Sequence, residues 1–427
     1  MRADTIAAIA TAPGRAGVAV IRVSGGDSWA IGEAISGKVL RERYAAFAQL
    51  RRNGELLDTG VVVAFKAPRS YTGEDVVEFQ VHGGEITPRR VLDACIESGA
   101  RLARRGEFTE RAYLNGKLDY DQAEAVIDLI NSKTLRSASS ALESLSGSKD
   151  KVYRVLYDQA IDISSRIEHS LDVDEGELPD GFIEKVLGDI AKLNDDIGAS
   201  IRSAKEGKIL RNGAIVVIAG APNSGKSSLM NALLGENRAI VSNIAGTTRD
   251  SIEEWIDIEG WPVKLVDTAG LRSSEDVIEV EGVRRSYDLI RKADVVLMMN
   301  PSESDFSDSA ALAIPVHSKC DLSRSEEFLN VSSVTGEGLT ELKREIAAKL
   351  SMLACRPLED ADVGADEVKL ATLKEAQAML SGYDAADDLV LLGGLMRRVS
   401  EKLGELIGSS YSSDLLERLF SRFCVGK

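Results

Sequence analysis

The sequence contains few cysteines, few histidines and no long apolar run, and each shortage excludes a class of protein. Four cysteines and three histidines occur in 427 residues, and no two cysteines form a Cys-x-x-Cys pair. This usage excludes a disulfide framework and a structural zinc site of ordinary spacing, and it is typical of a protein in a reducing compartment.

The sequence also lacks the segments that direct a chain to a membrane. No stretch approaches the ~20 uninterrupted apolar residues that a transmembrane helix requires. The first residues do not follow the layout of a signal peptide, because Asp4 stands where the apolar stretch would begin. We therefore expect a cytoplasmic protein that makes no membrane contact.

Positive charge is scarce as well. The 52 basic residues are outnumbered by 68 acidic ones, which gives a formal net charge of −16 at pH 7. Residues 1–118 do not share this excess, since they hold 17 basic and 14 acidic residues. A chain this acidic does not coat nucleic acid non-specifically, so contact with RNA requires a local patch or a partner protein.

Apolar patterning divides the chain into segments of different character. The predicted domains are an α+β domain at 1–118, helices at 119–210, an α/β domain at 211–346 and helices again at 347–427. Strands that alternate with helices indicate a mostly parallel sheet in the third segment. The simplest interpretation is that helices from both flanks form one bundle and that the α/β domain is inserted into it.

A glycine-rich loop between a strand and a helix is the strongest motif. Residues 220–227 read Gly-Ala-Pro-Asn-Ser-Gly-Lys-Ser, after the apolar run 215–219 and before the helical run 228–234. This is the G-x4-G-K-S phosphate loop in its required context. Backbone N–H groups surround the phosphate oxygens, Lys226 supplies charge to the β- and γ-phosphates, and the Ser227 hydroxyl binds Mg2+.

Later motifs indicate that the nucleotide is GTP. Asp267 begins an Asp-x-x-Gly motif and would hold the Mg2+ shell, while Gly270 would sense the γ-phosphate. Thr248 is placed to reach the same metal, and Asp321 can accept from both guanine N–H donors. The predicted GTP-binding residues are Asn223, Ser224, Gly225, Lys226, Ser227, Ser228, Ser242, Asn243, Ile244, Ala245, Gly246, Thr247, Thr248, Asp267, Thr268, Ala269, Gly270, Ser318, Lys319, Asp321, Ser332, Ser333 and Val334.

Residues 220–228, 246–250 and 267–272 resemble the translation-factor class of small GTPases, with two departures. Ser318 stands where that class has Asn in Asn-Lys-x-Asp, and a serine lacks the reach of the amide. We therefore expect weaker affinity for the base. Leu271 follows Asp-x-x-Gly, where Ras-like proteins place a water-orienting Gln, so another group must polarise the water.

Charge at the β–γ bridge could come from a monovalent cation, because no arginine finger is marked. Asn223 and the loop 242–247 offer it hard oxygen ligands.

A separate departure follows Met299, where only about 15 residues remain before the next strand, close to the minimum for a crossover helix. That spacing predicts a shortened or missing helix.

Motifs at both ends extend the resemblance to the MnmE (TrmE) family of tRNA-modification GTPases, over essentially the whole chain. They are Ser-Tyr-Thr-Gly-Glu-Asp at 70–75, Gly-Glu-Phe-Thr-Glu-Arg-Ala-Tyr-Leu-Asn-Gly-Lys at 106–117 and Phe-Cys-Val-Gly-Lys at 423–427. The resemblance implies a multidomain α/β and α+β protein. Its P-loop GTPase domain would be inserted into a helical bundle and preceded by an aminomethyltransferase-like, folate-binding domain.

The same resemblance implies how GTP is hydrolysed. It places a catalytic glutamate at Glu279, whose residue type alone favours an ordinary solvated carboxylate at a helix start. It also implies K+-stimulated hydrolysis and dimerisation of the GTPase domains. The implied K+ ligands are Asn223, Ser242, Ile244 and Thr247.

Folate binding is the second implication. The family's contacts to 5-formyltetrahydrofolate, or a related tetrahydrofolate, fall on Arg22, Glu78, Lys117 and the terminal Lys427. Residue type alone favours surface ions at these positions, although a carboxylate can pair with the pterin edge and a cation with the glutamate tail. Cys424 is either an ordinary thiol or a functional one near the folate, which the resemblance favours.

The implied function is a GTPase that helps to form the 5-carboxymethylaminomethyl group on wobble uridine of tRNA. Implied partners are a second copy of the chain and the FAD-dependent MnmG (GidA) protein, in a heterotetramer that acts on tRNA. Two alternatives stay open. One is a ribosome-assembly GTPase switch without covalent RNA chemistry, and the other is a stand-alone folate-dependent transferase with a regulatory GTPase domain.

Overall fold

The computed structural model describes residues 4–172, 179–236, 253–267, 289–301, 312–354, 365–382, 389–407 and 413–427. The chain divides into two compact units. The first unit comprises Met1–Ile127, Ser144–Gly147 and Ser410–Lys427. The second unit comprises Asp128–Glu143 and Ser148–Ser409. The four domain boundaries drawn from the sequence stay a prediction.

Strands and helices of the described ranges are numbered in chain order. The strands are β1 (Ile6–Ile9), β2 (Ala19–Ser24), β3 (Ala46–Arg52), β4 (Glu55–Phe65), β5 (Val76–Val81), β6 (Arg101–Leu102), β7 (Ala214–Gly220), β8 (Glu253–Ile258), β9 (Trp261–Asp267), β10 (Val295–Met299), β11 (Leu312–Ser318) and β12 (Leu329–Val331). The helices are α1 (Ser28–Ser36), α2 (Thr87–Glu97), α3 (Glu107–Leu114), α4 (Tyr120–Asn131), α5 (Leu135–Leu145), α6 (Ser148–Leu171), α7 (Phe182–Asn212), α8 (Lys226–Glu236), α9 (Leu339–Leu353), α10 (Ala365–Ser381), α11 (Leu389–Gly404) and α12 (Ser413–Ser421). None of these helices meets the length and hydropathy needed to cross a membrane.

The first unit contains a sheet in the order β3-β4-β5-β2-β1-β6. Its pairings are antiparallel except for β1 and β6, which run parallel. Ile21 and Phe79 face the core and are fully buried. Because side chains alternate across a strand, Arg22 and Glu78 point to the opposite face, where the β2–β5 register sets them directly opposite each other.

The last residues of the chain pack against the start of the first unit. Gly426 has a φ of +101°, and a Cβ there would lie 2.2 Å from the Ile9 carbonyl oxygen. The backbone therefore approaches β1 more closely than any residue with a side chain allows. A bridge between Arg105 and Val425 fixes the same segment beside α3.

The second unit carries the α/β segment expected from the sequence. Its sheet has the order β12-β11-β10-β7-β9-β8, and every pairing is parallel except that of β8 with β9. Apolar side chains cover both faces, with Leu229 and Ile346 in the core on one side and Val217 and Val296 on the other. This burial explains the near-continuous apolar runs of β7 and β10.

The long helices of the second unit share a separate hydrophobic core. Ile167 of α6 and Ile190 of α7 are buried there with Leu373 of α10 and Met396 of α11. These helices lie on both sides of the α/β segment in the sequence. The shortened crossover predicted after Met299 falls within 302–311, outside the described residues.

Candidate functional site

The phosphate loop lies between β7 and α8 and depends on unusual backbone angles. Asn223 and Gly225 have φ values of +61° and +91°, and both are left-handed conformations. Gly220 lies against β10, since a Cβ at this residue would be 2.8 Å from the Cβ of Met299. The glycines of the motif therefore permit a tight loop beside the neighbouring strand.

Lys226 is the first residue of α8 and reaches back into the loop. Its Nζ donates to the carbonyl oxygens of Gly220 at 2.9 Å and Ala221 at 2.8 Å, and the residue is only 6% exposed. The ammonium group thus lies inside the curve of the phosphate loop. A positive charge at that point, beside a helix N-terminus, favours a bound phosphate chain.

Two side chains with oxygen atoms that could bind a metal lie in contact near the ends of β7 and β9. The Ser227 hydroxyl donates to Oδ2 of Asp267 at 2.6 Å, and Asp267 is buried. The parallel register that pairs Ile218 with Asp267 produces this proximity. A hydroxyl and a carboxylate are the hard oxygen ligands that Mg2+ prefers, so these side chains fit the predicted metal.

The predicted base-binding residues come together on two neighbouring loops. One loop follows β11 and the other follows β12. The two loops are neighbours because these strands pair in parallel, with Ser318 opposite Val331. Asp321 accepts a 2.6 Å hydrogen bond from the Ser332 hydroxyl at its Oδ1. The structure thereby groups all of the base-binding residues predicted from the sequence: Ser318, Lys319, Asp321, Ser332, Ser333 and Val334.

Hydrogen bonds join the base loop to the phosphate loop. The Ser318 hydroxyl donates to the backbone carbonyl of Ser224 at 2.8 Å. Lys319, which has a left-handed φ of +58°, donates from Nζ to the carbonyl of Asn223 at 3.3 Å. The two predicted halves of the nucleotide site are therefore one connected structure, and Ser318 makes contact with the phosphate loop despite its short side chain.

Part of the predicted site falls outside the described residues. This holds for the predicted catalytic glutamate and for the predicted γ-phosphate contacts in segments 237–252 and 268–288. The residues concerned are Ser242, Asn243, Ile244, Ala245, Gly246, Thr247, Thr248, Thr268, Ala269, Gly270 and Glu279. Gly225 and Ser228 lie in the described phosphate loop and the first turn of α8.

The first unit contains a second cluster of predicted site residues. Arg22 donates from Nε to Oε1 of Glu78 at 2.8 Å, and both side chains are less than one-fifth exposed. The guanidinium also lies over the rings of Tyr71 and Phe108, at 5.2 and 5.7 Å from their centroids. Both aromatic residues belong to the motifs at 70–75 and 106–117, although their residue types alone did not mark them as site residues.

The C-terminal residue reaches the same cluster. Burial lowers the pKa of Lys427, the charge of Arg22 lowers it further, and Glu78 opposes the shift. Lys117 instead packs its side-chain carbons against Gly73, where a Cβ would lie 3.2 Å from Cγ of the lysine. The structure thus brings together three of the four predicted folate contacts, and Arg22 and Glu78 offer the donor and acceptor types that a pterin edge requires.

Cys424 precedes Lys427, which reaches the cluster, and it is exposed. Its carbonyl oxygen accepts from the backbone N–H of Gly106 at 3.4 Å. The backbone of this cysteine is therefore tied to the residue preceding α3, and its thiol faces solvent.

A buried ion network supports the first unit beside this cluster. Glu107 is fully buried and accepts hydrogen bonds from Arg101 and Arg111 and from the backbone N–H of Arg104. Burial alone would raise the pKa of this carboxyl, but the bonds from Arg101 and Arg104 outweigh it and lower the pKa to about 2. Glu107 is therefore ionised throughout the physiological range.

The phosphate loop and the adjoining guanine-type loop, on a mostly parallel sheet with both faces covered, define a P-loop GTPase. Family models match residues 5–117 as the GTP-binding protein TrmE N-terminus and residues 121–424 as the MnmE helical domain. The second match alone covers more than half of the chain. The chain therefore belongs to the MnmE family of tRNA modification GTPases.

Curated relatives agree with this assignment over the full length. The tRNA modification GTPase MnmE of Azoarcus sp. (strain BH72) is 41% identical over 448 residues, covering 99% of this chain and 98% of the relative. That of Dechloromonas aromatica (strain RCB) is 39% identical over 452 residues and covers 100% of both. The G domain of the T. maritima FeoB iron transporter is 29% identical and covers 32% of this chain and 98% of that one, but its TM-score of 0.25 supports no argument.

Proposed function

We propose that this GTPase binds and hydrolyses GTP at the joined phosphate and base loops. The observation that carries the proposal is the pair of hydrogen bonds by which Ser318 and Lys319 reach the carbonyls of the phosphate loop. Loops linked in this way can bind the base and the phosphates of one nucleotide at the same time. Calorimetric titration of the full chain with GDP and ADP tests this proposal.

Mg2+ would be held by Ser227 and, in our proposal, by Thr248, with Asp267 ordering its water shell. When bound, the metal neutralises charge on the β- and γ-phosphates. Lys226 lies within the phosphate loop and would exchange its carbonyl partners for phosphate oxygens. That exchange is favourable because a charged acceptor makes a stronger hydrogen bond than a neutral one.

Asp321 would select guanine by accepting from the N–H donors of the base. The bond from Ser332 orients this carboxylate. An Asp321→Asn variant tests the assignment, because an amide donor faces the wrong group on guanine but the right one, a carbonyl, on xanthine. We expect it to lose affinity for GDP and to gain affinity for xanthosine diphosphate.

Hydrolysis would use Glu279 to orient the attacking water, with K+ held by Asn223, Ser242, Ile244 and Thr247 and with the GTPase domains of a dimer facing each other. The proposal is supported by Leu271, whose side chain has no polar atom to orient water, and by membership of the family. A Glu279→Ala variant should bind GTP normally and lose turnover. Replacing K+ by Na+ should lower the rate, and equal rates would exclude a specific potassium site.

We further propose that the first unit binds 5-formyltetrahydrofolate, or a related tetrahydrofolate, through Arg22, Glu78, Lys117 and Lys427. When bound, folate supplies a one-carbon unit. The support is a largely buried cluster that combines a guanidinium, a carboxylate and two aromatic rings. Glu78 would accept from the pterin, and the cations would hold the glutamate tail.

These activities would combine in forming the 5-carboxymethylaminomethyl group on wobble uridine of tRNA, in the cytoplasm. We propose a homodimer whose GTPase domains are inserted into the helical bundles and which works with the FAD-dependent MnmG protein. Mass spectrometry of tRNA from a deletion strain tests this reaction. Intact wobble uridine modification together with accumulated ribosomal precursors would instead favour a ribosome-assembly switch.

Cys424 would take part in the modification and not in GTP hydrolysis. Its exposed thiol and its tie to Gly106 support a position at the edge of the first unit's cluster. A Cys424→Ser variant should retain the GTPase rate and lose the tRNA modification. Retention of both activities would remove this residue from the proposal.

A further inference from the structure

Asn300 is a polar residue that the sequence motifs do not mark, and it directly follows β10. Its φ of +49° is left-handed, a conformation that asparagine tolerates better than most residues. Its backbone N–H donates to the carbonyl of Val316 on β11 at 2.8 Å. Both the backbone and the left-handed turn therefore direct the Asn300 side chain toward the end of β11, where Ser318 lies.

The carboxamide of Asn300 makes two hydrogen bonds to this serine. Oδ1 accepts from the backbone N–H of Ser318 at 2.9 Å, and Nδ2 donates to its hydroxyl oxygen at 2.8 Å. Ser318 is the residue at which this chain departs from the Asn-Lys-x-Asp motif. A carboxamide is thus present beside the base loop, but it comes from the neighbouring strand.

The bond from Asn300 determines where the hydroxyl proton of Ser318 goes. A hydroxyl has one proton to donate, and its oxygen here already accepts from Nδ2. The proton is then directed to the carbonyl of Ser224, 2.8 Å away. The hydroxyl of Ser224 is itself buried and has no hydrogen-bond partner within the described ranges, so it contributes nothing to this link.

We propose that Asn300 is a positioning residue for guanine nucleotide binding, which fixes the base loop to the phosphate loop through Ser318. The carboxamide that the motif lacks at position 318 is in effect supplied from position 300. This inference rests on the proposed guanine site and adds a residue to it. Asn300 acts through Ser318, and the structure gives it no role in the hydrolysis step.

The test is a double substitution that exchanges the hydrogen-bonding groups of the pair. Asn300→Asp keeps the shape of the side chain and tolerates the left-handed φ, but it replaces the Nδ2 donor by an acceptor. The Ser318 hydroxyl then donates to the new carboxylate and leaves the Ser224 carbonyl. We expect the affinity for GDP to fall about 3- to 10-fold, as for the loss of one hydrogen bond.

Adding Ser318→Asn to this variant should restore most of the affinity. An asparagine amide has two N–H donors, so one can bond to the Ser224 carbonyl and the other to the new carboxylate. The double variant keeps the added negative charge, and recovery therefore separates positioning from simple repulsion of the nucleotide. In the wild-type background the carboxamide of Ser318→Asn can accept from Asn300 Nδ2 and donate to the Ser224 carbonyl, as the serine hydroxyl does, so the affinity should stay near the wild-type value.

Asn330 provides a matched control in the same unit. Its carboxamide also bonds to a serine backbone, with Oδ1 accepting from the N–H of Ser325 at 2.8 Å. Asn330→Asp combined with Ser318→Asn should show additive effects, because these two side chains share no hydrogen bond. Thermal melts without nucleotide check that each variant folds.

The readout is equilibrium titration with a fluorescent GDP analogue for the four variants of the Asn300–Ser318 cycle. A coupling of threefold or more between the two substitutions supports the proposal. Unchanged affinity in Asn300→Asp, or a double variant as weak as the product of the single effects, overturns it. If the wild type itself fails to bind GDP, the proposed guanine site is wrong, which is a distinct result.

Discussion

The phosphate loop of the second unit and the buried ion network of the first unit hold their cations in different ways. In the second unit Lys226 and Lys319 donate to backbone carbonyls of the phosphate loop. In the first unit Arg101 and Arg111 donate to the buried carboxylate of Glu107. An ammonium on a neutral carbonyl keeps its charge available for an incoming phosphate, whereas the charge of a guanidinium on a carboxylate is already compensated by its partner.

This contrast distinguishes cations that bind a ligand from cations that stabilise the fold. Exchanging a carbonyl for a phosphate oxygen strengthens the hydrogen bond of the lysine, so the second unit's cations gain when a nucleotide arrives. Removing the Glu107 carboxylate from the buried network of the first unit deprives two arginines of their most buried partner. Substitutions in the first unit's network should therefore change stability, and those in the phosphate loop should change affinity.

The largest effect is expected at Glu107. Glu107→Gln removes the fully buried carboxylate that Arg101 and Arg111 share, leaving them only the carboxylates of Asp4 and Glu74, and should lower the free energy of unfolding by about 3 kcal/mol. Denaturant unfolding measures this loss. Glu110→Gln, which removes only a partly exposed partner of Arg104, should cost less than about 1 kcal/mol. Equal costs at the two glutamates would contradict the buried network.

The lowered pKa of the Glu107 carboxyl should make the stability of the protein depend on pH. The folded pKa of Glu107, about 2, is lower than its unfolded value of 4.5, so the folded state favours the ionised form. This contribution is fully present above pH 4.5 and is lost as the pH falls toward 2. Unfolding free energies measured down this range should decline less steeply for Glu107→Gln than for the wild type.

The next effect is expected at Lys226 and concerns affinity. Lys226→Ala removes a charge-assisted bond to phosphate and should weaken GTP binding about 30- to 100-fold. Calorimetric titration measures this loss, and the melting temperature without nucleotide should hardly change. A variant that binds GTP normally but unfolds early would show that the ammonium supports the loop and does not bind the ligand.

A smaller effect is expected at Arg22. Arg22→Ala should weaken binding of 5-formyltetrahydrofolate about tenfold, because it removes a cation and frees Glu78 from its partner. Fluorescence titration with the folate gives the Kd. Arg69→Ala, which removes an exposed pair with Glu42 in the same unit, serves as the control and should leave the Kd unchanged. Equal losses would indicate a general charge effect.

The smallest effect is expected at Val334, which is 88% exposed on the base loop. Its backbone N–H donates to the Ser332 hydroxyl, and the side chain makes no such bond. Val334→Ala should therefore change GDP affinity by less than about twofold. A larger loss would show that the side chain itself packs on the base.

Local motifs made much of the nucleotide site predictable from the sequence. The phosphate loop needs glycines and a lysine at fixed spacing, and the guanine reader follows a strand that the apolar pattern marks. The bonds from Ser318 to Ser224 and from Asn300 to Ser318 were not predictable, because they depend on the parallel register of β7, β10 and β11.

The cluster of the first unit was predictable only through family resemblance. Arg22 and Glu78 are 56 residues apart in sequence, and only the antiparallel register of β2 and β5 brings them together. Lys427 reaches them because Gly426 lets the chain pass directly over Ile9. Residue types alone favoured surface ions, since strand pairing over such distances leaves no local signature.

The proposed guanine site is tested most directly by a calorimetric titration of the full chain with GDP and with ADP, in buffer containing Mg2+. We predict that GDP binds stoichiometrically and at least about 100-fold more tightly than ADP, because guanine presents N–H donors to Asp321 at both N1 and N2, whereas adenine has an acceptor at N1. Equal affinities for the two nucleotides, or binding of neither, would contradict a guanine site built from the joined loops.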